Sequence, residues 1–115
     1  MAKLSPSTQA FFDKELALDL TDDFRERGFP HLRVRLVRGA LVVQSGPSKG
    51  AVLHARFTRE TVHLWRLEMP ARGGRWDPTP YRDLIDKLVR ALIDEFPWTL
   101  AQLDTKRLRT FGPKY

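Results

Sequence analysis

The sequence predicts an α+β domain in two layers, ordered α-β-β-β-β-α, with a four-stranded antiparallel sheet and both helices on one face. Three observations predict it. Two stretches of helical apolar periodicity flank the middle of the chain. Four short runs of strand-like composition lie between them. The breaks between those runs are short enough to favour hairpins. A chain of 115 residues is most simply one domain, large enough to bury a core and too small for two. That domain is expected over residues 1–104, followed by a basic tail over 105–115.

Residues 5–27 read as the first helix. Ser5 or Ser7 is placed to cap it, Pro6 suits a first turn, and Gly28 suits a left-handed end. Phe12, Leu16, Leu20 and Phe24 recur every fourth residue, with Phe11 and Ala17 beside them, and form one apolar stripe. Asp13, Asp19, Asp22, Asp23 and Glu26 are assigned to the rest of the surface. Strand-like runs follow at 31–38, 40–44, 51–57 and 61–69, divided by "RGA", "SGPSKG" and "TRE". "PARGGRWDPTP" (70–80) reads as a loop. In the second helix Thr79 caps, Pro80 fits the first turn, and Leu84, Ile85, Leu88, Val89, Leu92, Ile93 and Phe96 share a face until Pro97 stops it. The remainder reads as a short helical turn and a frayed tail.

Apolar residues at 42% and charged residues at 30% match a soluble globular protein. No apolar run approaches the roughly 18 residues of a membrane helix, and the N-terminal stretch lacks a signal-peptide pattern. A cytoplasmic location and no membrane partner are therefore expected. The absence of cysteine excludes disulfides and thiolate metal sites. The net charge of +6 is concentrated: residues 28–76 hold nine Lys and Arg against two Glu. Such asymmetry points to a polyanionic partner. A GC-rich coding bias accounts for Arg outnumbering Lys 14 to 6, but not for the scarcity of acids in one segment.

Alternation assigns Leu32, Val34 and Leu36 to the packed face and Arg33 and Arg35 to the other. Likewise Leu53, Ala55 and Phe57 turn inward, with His54 and Arg56 outward, and Arg66 is assigned to the same outer face. Like charges on neighbouring strands repel, so this face carries an electrostatic cost unless acids, solvent or a ligand offset it. Two readings remain: an anion-binding face, or a solvated face that keeps sheets from pairing edge to edge.

No residue set argues for catalysis, and no cofactor or metal is expected. "SGPSKG" lacks the spacing of a nucleotide-binding loop and reads as a turn, from which Lys49 could still reach a phosphate. His31, His54 and His63 show no metal-ligand spacing. Asp22 and Asp23 point about 100° apart on a helix and make a poor carboxylate pair. Trp76, beside Arg72 and Arg75, either folds over the core edge or stacks on a base. Lys106, Arg107 and Arg109 in the tail either fray or clamp phosphates.

Residues 55–76 combine a basic strand ending in an aromatic, a tight hairpin, W-x-L and a basic Gly-containing loop closed by a second Trp. Through Trp65, Leu67, Gly74 and Trp76 this segment resembles a small bacterial family of unknown function, over about the middle half of the chain. Met69 departs from the pattern, where an aromatic is expected. The resemblance implies a shared fold and carries no activity.

The expected function is non-enzymatic binding of DNA or RNA, mainly through phosphates. Arg33, Arg35, Arg56 and Arg66 make the face, joined by Lys49, Arg72, Arg75, Trp76 and the tail cations Lys106, Arg107 and Arg109. The alternative is a protein-interaction module or homodimer, with Val42, Trp98 and one side of the fourth strand as an apolar seam.

Overall fold

The computed structural model describes residues 6–47 and 49–101. It is an α+β fold built from helix α1 (Pro6–Glu26), five strands and helix α2 (Ile85–Glu95). The strands are β1 (Arg33–Val37), β2 (Ala40–Ser45), β3 (Val52–Arg59), β4 (Trp65–Pro70) and β5 (Trp76–Asp83). They form one antiparallel sheet in the order β1-β2-β3-β4-β5. The antiparallel meander matches the sequence; the number of strands does not.

The fifth strand lies where a loop and a helix cap were expected. Pro78 and Pro80 hide it, because proline cannot donate to a sheet ladder. β5 is an edge strand, where that loss is tolerated. Thr79 does not cap the helix. Its hydroxyl donates to the Leu67 carbonyl (2.7 Å) and accepts from the Tyr81 amide (3.1 Å), filling an irregularity in the β4–β5 register. The helix begins six residues after Thr79, preceded by Leu84 in extended conformation. Leu84 is exposed rather than part of the buried stripe.

The end of α1 is as the sequence implied. Gly28 adopts a φ of +99°, the amide of Phe29 donates to the Phe24 carbonyl (2.8 Å), and the two rings meet edge to face. The Thr21 hydroxyl donates to Ala17 within the helix and accepts from the Val34 amide at 2.9 Å, which ties α1 to β1. The first half of α1 departs from expectation. Phe11 and Phe12 are 59% and 51% exposed, and the packed stripe begins at Leu16. Asp13 is instead only 5% exposed.

A single buried cluster unites Leu20 and Phe24 of α1, Val34, Leu41, Val43, Phe57 and Leu67 of the sheet, and Leu88, Val89 and Leu92 of α2. Fully burying a side chain of this kind contributes about 1.5–3 kcal/mol, so these residues hold the sheet's packed face in place. No described helix is long and apolar enough to cross a membrane.

Candidate nucleic-acid interface

Strand register sorts the side chains. Val34, Leu41, Phe57 and Leu67 line the core face. Opposite them, Arg35 pairs with Val42, Val42 with Arg56, and Arg56 with Glu68. One row away Arg33 faces Gln44, and on the other side Thr58 faces Arg66. The four sheet arginines named from alternation therefore share the face away from the core.

His54 does not join them. A register shift between Val43 and Gln44 bulges β3 against β2, so that His54 and Ala55 both turn to the core while Leu53 turns out. His54 is 2% exposed. Its Nδ1 pairs with the Thr99 carbonyl (2.5 Å) and its Nε2 with the Ser45 hydroxyl (2.8 Å). Nδ1 is thus the donor, and Ser45 donates to Nε2. Burial pushes the His54 pKa below its ordinary value, against the Thr99 hydrogen bond, and nearby His31 adds to the lowering. This serine–histidine pair has the contact of a nucleophile and its base, with both residues buried in the structure. Its work is to hold the Pro97–Leu100 turn against the sheet, together with the 2.6 Å contact of His31 Nε2 with the Leu100 carbonyl.

Acids offset half of the basic face. Arg56 is paired with Glu68 at 2.7 Å, and Arg66 with Glu60 at 2.7 Å. Glu60 also pairs with Arg82, the register partner of Arg66, so one carboxylate relieves the repulsion between two guanidiniums. The hydrogen bond from Arg66, reinforced by both positive charges, holds the Glu60 carboxyl below its ordinary pKa despite some opposing desolvation. Arg59 points the other way, to Asp13 of α1 (2.6 Å) and over the Trp65 ring (4.2 Å). Among the described residues no carboxylate pairs with Arg33, Arg35, Arg38, Lys49, Arg72 or Arg75.

Topology also gathers the loop cations. β1, β3 and β5 begin, and β2 and β4 end, at the same end of the sheet. Arg33 lies there, as do Lys49 in the β2–β3 loop and Arg72 and Arg75 in the β4–β5 turn. Lys106, Arg107 and Arg109 lie outside the described residues.

The same face carries a groove of about 380 Å³, lined by Val37, Ala40, Val42 and Leu53, by Arg38, Arg56 and Trp76, and by Gln44 and Thr58. Its size lies at the lower end of the range of ligand sites. Trp76 begins β5 and lines this groove instead of folding over the core edge; the Arg56 guanidinium lies 4.8 Å from its ring centre. Gln44 is 4% exposed, yet its Nε2 has no hydrogen-bond partner, and neither has the buried Nη2 of Arg33 beside it. An orphaned buried donor costs about 1–3 kcal/mol.

The groove was not foreseen. Val42, expected in an apolar seam, is buried within it. Arg56–Glu68 was legible in principle, since a hairpin turning at 60–64 sets those residues opposite each other. Gln44 had no signal, because its burial depends on the side chains around it. The chain matches no protein-family model, no curated protein and no solved structure.

Proposed function

We propose that this chain is a non-enzymatic nucleic-acid-binding protein that meets phosphates with the sheet face opposite its core. In this reading α1 and α2 cover the same side of the sheet and leave the other side free. The observation that carries the proposal is the alignment of Arg33 and Arg35 on that face with no carboxylate partner among the described residues. Guanidinium forks suit phosphate oxygens bidentately. Arg38, Lys49, Arg72 and Arg75 extend the positive surface beyond the strands. Contacts of this kind are mainly independent of sequence and weaken steeply with salt.

The test is titration against labelled single-stranded and duplex DNA and RNA at low and near-physiological salt. Wild-type affinity should fall steeply with salt. Arg33→Ala with Arg35→Ala should weaken it further and lower the salt slope by about one per lost contact. Absence of binding even at low salt would refute the proposal.

A second reading has its own observation. Phe11, Phe12, Val62 and Leu84 are exposed, and Phe12, Val62 and Leu84 border a groove of about 350 Å³ between α1 and the start of α2. An apolar patch of this kind fits a protein partner or a second copy. A stable dimer in solution, with no nucleic-acid binding, would favour it.

A further inference from the structure

We infer that the groove beside Trp76 seats one unstacked base of a single-stranded nucleic acid, so that the face prefers single strands to duplex. The inference rests on the reading that this face binds nucleic acid, and adds which part of the polymer the groove accepts.

Three features converge on a base. The floor is apolar, with Val37, Val42 and Leu53, and suits the face of a flat ring. The wall is the stack of Arg56 on Trp76, two planar groups that a third ring can extend. Gln44, a residue 4% exposed, lines the groove, and its Nε2 is a donor without a partner. A ring carbonyl or ring nitrogen on a base edge is an acceptor of the kind it lacks. The Nη2 of Arg33, its neighbour across the β1–β2 pair, is a second such donor, suited to the sugar-phosphate attached to that base. Neither atom has a hydrogen-bond partner, and each meets an acceptor once its side chain turns out toward the groove, which improves on the present arrangement.

The rim excludes a duplex from the same seat. Bases within a double helix are stacked on both faces and cannot enter a groove of this size without being flipped out. Phosphates of either form can still reach Arg38 at the groove and Arg35, exposed on the same face. The groove therefore separates two contributions, one to charge and one to rings.

The probes are a short thymidine strand, the same backbone with abasic residues, a duplex of equal length and thymidine monophosphate, each titrated at low salt with the full chain. The base-bearing strand should bind roughly tenfold or more tightly than the abasic strand or the duplex, the gain expected of one base–aromatic stack. In Trp76→Ala the base-bearing strand should bind no more tightly than the abasic strand does to the same variant, whatever the variant's affinity for the abasic backbone. If Trp76→Ala does not fold, amide and methyl shifts of Val42 and Leu53 in the wild-type chain decide: the base-bearing strand should move them and the abasic strand should not. The monophosphate should move the same signals with weaker affinity, and a monophosphate that binds as tightly as the strand would overturn the assignment to a polymer. Equal affinity for base-bearing and abasic strands would overturn the base seat while leaving the phosphate face intact. Failure of every probe would overturn both.

Discussion

Arg38 takes the first central position of the β1–β2 turn, at a φ of +50°, with Gly39 following at +79°. Two positive φ values in a two-residue connection make a turn that favours Asn or Gly at its first site. An arginine held there carries a backbone cost of about 1–2 kcal/mol, and its side chain lines the groove. Arg38→Asn should accordingly raise the unfolding midpoint while weakening nucleic-acid binding at low salt. A variant that is less stable, or that binds as well as the parent, would separate the residue from the function proposed for it.

His54 makes a different prediction at the same scale. Its folded-state pKa is depressed mainly by burial, so the folded protein takes up a proton less readily than the unfolded chain. Stability from the neutral ring is complete above the ordinary value of 6.5 and is lost as pH falls from there towards the lowered folded value. Urea midpoints should thus decline between pH 7.5 and 5.5. His54→Asn, weaker at every pH through loss of the Ser45 and Thr99 contacts, should show a shallower decline. Equal slopes in the two proteins would assign the pH dependence to other groups.

Elements are joined here by a few polar contacts across the apolar core. Asp13 anchors the first half of α1 by pairing with Arg59 at the end of β3. Arg59 also donates to the Val62 carbonyl at 2.5 Å and covers Trp65, so one guanidinium ties the helix, the β3–β4 turn and the core edge together. Asp13→Ala leaves that guanidinium largely buried without its carboxylate. The loss should be about 2–3 kcal/mol, below the full penalty for breaking a buried pair because Arg59 keeps some solvent contact. Chemical denaturation measures it. A double replacement, Asp13→Leu with Arg59→Met, should recover part of the loss; if it recovers none, packing and not charge accounts for the effect.

For the whole molecule, the decisive quantity is how much of the +6 charge is free to meet a ligand. Arg56 and Arg66 are matched by acids from neighbouring strands and the β3–β4 turn, while Arg33 and Arg35 are not. Glu68→Gln keeps an acceptor for Arg56 but removes the opposing charge. It should tighten binding at low salt and steepen the salt dependence by up to about one. Unchanged affinity would show that Arg56 contributes through its stack on Trp76 and not through phosphates.

The parts of this design that depend on neighbours in sequence were readable from sequence. The left-handed end of α1 at Gly28, the short turns and the alternation that separates Arg33 and Arg35 from Val34 all follow from local backbone and side-chain rules. Where the local rule was overridden, a distant contact was responsible. The β2–β3 bulge turned His54 inward, the edge position admitted two prolines into β5, and the packing of α1 against the sheet left Phe12 half exposed. Glu60 and Glu68 came to their arginines through pairing across a turn.

An α+β protein with a meandering antiparallel sheet and a basic side was legible in the chain alone, because strand periodicity and charge distribution belong to the order of its residues. Which guanidiniums stay unpaired, and the meeting of Trp76, Arg56 and Gln44 in one groove, came from folding. Those outcomes depend on register and burial, which arise when strands far apart in sequence are set side by side.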